Sequence, residues 1–180
     1  MMRLQKLLEK EKGTIVGRWF DCLAATYPPD TARFLQSQTD AFANPVGGAA
    51  RQTLADLFDE VTGDADPDRL KQVLDPLVRI RAVQTLFTPA QALAFIPMVK
   101  AIVRDRIGGR LDDPRGASDL TTFEDKVDRA LLTGFDVFMS CREQIYRLKA
   151  TEEQSKIYKA FARAGLVSEI HAGAEDSSET

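Results

Sequence analysis

The chain has 180 residues, 44% of them hydrophobic and 28% charged, with a formal net charge of −3. That length suits one domain with a core of its own. The acidic balance argues against general nucleic-acid binding, which leaves a strongly basic footprint, and no apolar run approaches the roughly 20 residues that span a bilayer.

The N-terminal stretch MMRLQKLLEKEKG carries charges every few residues and lacks the apolar core of a signal peptide. A cytoplasmic protein with no membrane insertion is therefore expected. Cys22 and Cys141 show no CxxC spacing. Under reducing conditions they read as small buried hydrophobes, or as a redox pair if the fold brings them together. The single histidine, His171, sits in a polar tail, so neither a zinc cluster nor a histidine-held haem is expected, and no cofactor is assigned.

Apolar residues recur at three- and four-residue steps almost everywhere, which predicts an all-α bundle of about six helices. Leu4, Leu8, Ile15, Trp19, Leu23 and Tyr27 share one side of a first helix that ends at TYPPD, where proline cannot extend the ladder. A short helical piece around Phe34 and Leu35 follows. Three later starts pair a side-chain acceptor with a proline at the first helical position: Asn44–Pro45, Asp66–Pro67 and Thr88–Pro89, the last with Gln91 placed for a capping box. The first of these helices runs to about Gly63 and the second to about Thr85. The third ends near GGR and should kink at Pro97, leaving the Leu93 carbonyl without its usual donor.

GGRLDDPRGASD reads as a loop, and TTFE as the capping box of a long last helix starting near Thr121. Its stripe is Phe123, Val127, Ala130, Gly134, Phe138, Cys141, Ile145 and Leu148. Gly134 within that stripe marks either a close helix crossing or a weak point. The expected organisation is a helical domain over residues 1–150, a charged helical extension over 151–168 and a disordered tail over 169–180.

The stretch LVRIRAVQ (77–84) interrupts an apolar arc with two arginines and a glutamine. At 100° per residue from Leu77, Arg81 falls at roughly 40° and Gln84 at roughly −20°, within an arc formed by Leu70, Val73, Leu74, Val78, Ile80 and Val83. Arg79 falls near 200°, outside it. Arg81 and Gln84 are thus expected to point inward and Arg79 to be solvated. A buried guanidinium keeps its charge and needs an acid, carbonyls or a bound anion. Asp40, the Asn44 segment and Glu124 are candidate partners within the protein; the other reading is a pocket for a small anionic or polar ligand formed by Arg81, Gln84 and Asn44, roofed by the helix at Pro97. The cations Lys100, Arg104, Arg106 and Arg110 gather at a helix C-terminus, where the dipole favours them. No Asp/Glu spacing commits a pair to acid–base work, and no base stands beside a Ser or Thr.

Four segments, RWFDCLAATYP (18–28), FANPVG (42–47), RIRAVQ (79–84) and TPAQALAFIPMVK (88–100), together resemble the N-terminal domain of RsbRD-type RsbT co-antagonist proteins, over roughly residues 4 to 148. The resemblance implies an all-α sensory domain, globin-like without haem and often paired as a dimer. In fuller relatives such a domain precedes a STAS output domain through a helical linker. Little follows Leu148 in these 180 residues, so a stand-alone sensory or partner-binding domain is expected, and the family brings no agreed ligand or catalytic residue.

A non-catalytic regulatory module, a small-ligand binder around Arg81 and an uncharacterised enzyme are the competing functions; the titratable groups offer no set that favours the enzyme. A homodimer is expected from the apolar Ile157, Tyr158, Phe161 and Leu166, which need cover if their helix projects from the core. The protein partner itself stays unnamed.

Overall fold

The computed structural model describes residues 2–38, 40, 42–111 and 113–164. Among them the chain is all-α: α1 (Met2–Ala24), α2 (Pro29–Ser37), α3 (Pro45–Thr62), α4 (Pro67–Val83), α5 (Pro89–Leu93), α6 (Phe95–Ile107) and α7 (Pro114–Arg163), with a 3-10 turn at Gly108–Arg110. His171, Leu166 and the tail over 169–180 lie outside the described residues.

Residues up to Arg142 form one compact unit. Its core is built on α1, which packs against α2, α3 and α6, while α3 packs on α4 and α4 on α5. The stripe anticipated for α1 is buried from Leu4 to Leu23, and Tyr27 just beyond the helix closes it. Trp19, Phe58, Phe95 and Phe138 are among the fully buried side chains, each worth about 1.5–3 kcal/mol relative to an exposed position. Trp19 also donates its indole N–H to the Phe95 carbonyl at 2.6 Å, so a large apolar residue enters the core with its one polar atom satisfied.

The three X–Pro starts hold. Asn44 Oδ1 accepts from the Gly47 N–H, Asp66 from the Arg69 N–H, and Thr88 with Gln91 completes a capping box. Prolines inside helices behave in two ways. Pro97 does not kink a continuous helix: the chain breaks at Ala94 and Pro97 becomes the third residue of α6, where its missing N–H has no partner within that helix to lose. Pro76 does sit inside α4. Both Pro76 and Gln72, the residue whose carbonyl it deprives of a helical donor, are exposed.

The last helix begins earlier than TTFE suggests. Asp113 and Pro114 repeat the X–Pro start, with Asp113 Oδ1 accepting from the Gly116 N–H at 2.8 Å, an interaction that holds this carboxyl below its ordinary pKa. Thr121 is already inside the helix and donates to the Ala117 carbonyl. Gly116 is buried against the preceding loop; a Cβ there would stand 2.8 Å from the Leu111 oxygen. Gly134 marks a close crossing, since a Cβ would meet Ile96 Cδ1 at 2.8 Å and approach Leu93 and Leu74. The buried stripe of α7 runs from Phe123 to Cys141; Ile145 is half-buried and Leu148 is exposed.

From Glu143 the chain forms a second unit. Its described part is the rest of α7, exposed along its length from Tyr146. Lys156 pairs there with Glu152 and Glu153 at 3.0 and 3.2 Å, one-turn contacts worth only tenths of a kcal/mol.

Candidate functional site

Arg81 is the most unusual side chain in the protein. It sits in the last turn of α4 and is 0% exposed. Its inward direction follows from helical periodicity, and Arg79, two residues away, is exposed and paired with Asp75 at 2.7 Å. Arg81 meets no carboxylate among the described residues. Its Nε donates to the Ala92 carbonyl at 2.8 Å, and its Nη2 donates to the Gln91 carbonyl at 3.0 Å and to Thr26 Oγ1 at 3.2 Å. Those acceptors differ from the anticipated ones: Glu124 is taken by Arg104, and the Asp40 carboxylate caps the Phe42 N–H.

Three aromatic rings complete the cage. The guanidinium carbon lies 3.9 Å from the Phe87 ring centre, 5.1 Å from Tyr27 and 5.8 Å from Phe95, and Tyr27 and Phe87 meet edge to face at 5.0 Å. Such faces attract a desolvated cation. The Nη1 atom is buried with no hydrogen-bond partner among the described residues. Burial draws the guanidinium pKa down, with the Tyr27 phenol pushing it back up, yet the group stays charged at any ordinary pH.

Gln84 does not share that interior. The helix stops at Val83 and Gln84 is its C-cap with extended backbone, so the helical wheel no longer governs its direction. It is half-buried and accepts a long 3.3 Å hydrogen bond from the Tyr27 hydroxyl. Val83, placed in the same arc, is 58% exposed: still helical, it lies roughly 120° from Leu77, on the side of the solvated Arg79. Asn44 is 1% exposed, and its amide is occupied: Oδ1 caps α3 while Nδ2 donates to the Leu35 and Gln38 carbonyls. No hydrogen bond among the described residues joins it to Arg81 or Gln84. The rings of Tyr27 and Phe87, joined at greater distance by Phe95 from the helix that carries Pro97, lie over the guanidinium. Thr26 with Tyr27, Phe87 and Phe95 come from three separate segments, and nothing in the sequence marks them as one cluster.

The cations of α6 and the turn after it find acids as well as a helix end. Arg106 and Arg110 converge on Glu11 at 2.8 and 3.1 Å, Arg104 forks onto Glu124, and Lys100 reaches Asp128 at 2.6 Å. Glu11 is 6% exposed, and Arg106 first, then Arg110, holds its carboxyl below the usual range. Lys126, also buried, donates to the Gly63 carbonyl at the end of α3.

An open apolar groove of about 510 Å³ lies beside the cage, lined by Pro89, Leu93, Pro97, Leu131, Leu132 and Phe135 among others. Leu132 and Phe135 are 66% and 46% exposed. In the second unit Ile157, Tyr158 and Phe161 are about half exposed. The short α5 thus gives two carbonyls to Arg81 and apolar side chains to the groove. Cys22 is half-buried and Cys141 buried, both as free thiols.

Among the described residues no group of three or more His, Cys, Asp or Glu could hold a metal ion, and no helix is long and apolar enough to cross a membrane. An uncharacterised protein of Archaeoglobus fulgidus is 22% identical over 151 residues, covering 82% of this chain and 87% of that one. No solved structure gives a significant match. The model of the RsbT co-antagonist protein rsbRD N-terminal domain matches residues 13–152, a span that contains Arg81, its cage and the groove, and the chain therefore belongs to that family.

Proposed function

We propose that this chain is a non-catalytic regulatory domain of the stress-signalling type, acting in the cytoplasm through protein–protein contact and pairing with a second copy of itself. The observation that carries this reading is uncovered apolar surface: Leu132 and Phe135 in the compact unit, and Ile157, Tyr158 and Phe161 in the second. A lone helix exposed on all sides is marginal in water, and an amphipathic helix finds cover by laying its apolar side on another apolar surface. Light scattering after gel filtration tests the pairing. The expected mass is twice 20.0 kDa, falling to the monomer when Ile157 and Phe161 are both changed to Asp. A monomer across the whole concentration range for the unaltered chain refutes it.

A second reading is favoured by one specific observation, the unpartnered Nη1 of Arg81. On that reading the domain binds a small anionic or polar ligand at Arg81 and Gln84, and Asn44 contributes by holding the start of α3.

A further inference from the structure

The geometry points to a site for a small monovalent anion at Arg81 Nη1, within the cover formed by Phe87 and Tyr27, which takes a halide or a single carboxylate oxygen. This rests on the ligand-binding reading above and names its chemistry.

The donor arrangement selects the ligand. A guanidinium presents five N–H groups, and its paired edges are what grip a carboxylate or phosphate with two parallel bonds. Here the Nε/Nη2 edge is spent on the Ala92 and Gln91 carbonyls, and the second Nη2 donor on Thr26. What remains is one nitrogen, fully buried and without a hydrogen-bond partner among the described residues. It suits a ligand that offers one acceptor atom. The surrounding walls are aromatic, and none of the hydrogen bonds or ring contacts of the cage brings in a second cation. A doubly charged oxyanion would carry an uncompensated charge into that setting, whereas a monovalent one leaves the pair neutral.

Access runs past the segment between α4 and α5. Phe87 and Tyr27 cover the guanidinium, and the Tyr27–Gln84 bond that ties this cover down is long at 3.3 Å. Admitting an anion requires Phe87 to move. Phe87 is two residues from Pro89, which lines the apolar groove, and the Arg81 acceptors Gln91 and Ala92 belong to the same short helix. Occupancy of the site therefore acts on the element that shapes the groove.

The test is thermal unfolding of the full chain in titrations of sodium acetate, sodium chloride or sodium sulfate, compared at equal ionic strength. Acetate or chloride should raise the melting temperature saturably, by about 3–6 °C at ten times Kd, and should shift the Arg81 Nε–H resonance over the same range. The acetate and chloride arms tell a carboxylate from a halide. Arg81→Met should abolish the saturable rise. Should that variant not fold, Phe87→Leu serves instead: a cover that opens more easily should lower the half-saturating concentration several-fold. No saturable rise, an equal one in sulfate, an unmoved Arg81 resonance or a Phe87→Leu protein with unchanged half-saturation each overturns the site. None of these outcomes alters the mass measured by light scattering, so the pairing proposal stands or falls separately.

Discussion

Arg81 and Glu11 are both buried charges, one at the end of α4 and the other in α1, and the protein treats them in opposite ways. Glu11 meets two guanidinium groups whose own side chains are 46% and 45% exposed, so the charge is balanced and the partners keep much of their hydration. Among the described residues Arg81 is balanced by nothing ionic: carbonyl dipoles, a hydroxyl and three rings surround it. A buried ion without a counter-ion is costly. Retaining one while placing carboxylates on arginines elsewhere separates a structural ion cluster from a site with unused binding capacity.

The largest test of this contrast is Arg81→Ala. It leaves the Gln91 and Ala92 carbonyls unpaired and a void beneath Phe87, and should lower the unfolding free energy in urea by about 3–5 kcal/mol. If the loss is below about 1 kcal/mol, the cage is not holding α4 to α5. Gly134→Leu attacks the neighbouring packing, where α7 crosses Leu93 and Leu74, and overfilling there should cost about 1–3 kcal/mol. Arg81→Met keeps much of the volume and removes the unbalanced charge while orphaning the same carbonyls. Its cost should be about half that of Arg81→Ala, roughly 2 kcal/mol. A Met variant as damaged as the Ala variant would mean that the charge itself is stabilising.

Glu11→Gln should have the smallest effect, and the pH profile tells the two regions apart. The folded pKa of Glu11 lies below its ordinary value, so its contribution is complete above the unfolded pKa of about 4.3 and is lost as pH falls through the folded value. Glu11→Gln should therefore flatten the acid limb of the stability curve and leave neutral pH little changed. Arg81 does not titrate in this range, so Arg81→Met should leave the shape of the acid limb intact.

Much of the architecture was legible because it is written locally. Asn44–Pro45, Asp66–Pro67 and Thr88–Pro89 each combine an acceptor with a fixed φ at the one place a helix tolerates both. Asp113–Pro114 carries the same signal within GGRLDDPRGASD, a stretch that reads as a loop, and Gly116 stands there because Leu111 leaves no room for a Cβ. The inward turn of Arg81 followed from periodicity alone. Its surroundings did not. Backbone carbonyls of Gln91 and Ala92 have no side-chain signature, and Tyr27, Phe87 and Phe95 meet only through the fold. Gln84 was misdirected because a wheel was carried one residue past the end of its helix. The groove escaped notice because it joins α5 and α6 to α7 across an interval of more than 30 residues.

Prolines open α2, α3, α4, α5 and α7. Boundaries set this way need only two adjacent residues each, while the interiors between them ask for little more than apolarity at the right spacing. A chain punctuated like this can exchange most of its residues over evolutionary time without moving its helix boundaries, which accords with a relative that retains 22% identity over most of its length. In such a lineage, side chains that neither punctuate nor simply fill space, Arg81 first among them, are where divergence between members should be read as a change of task.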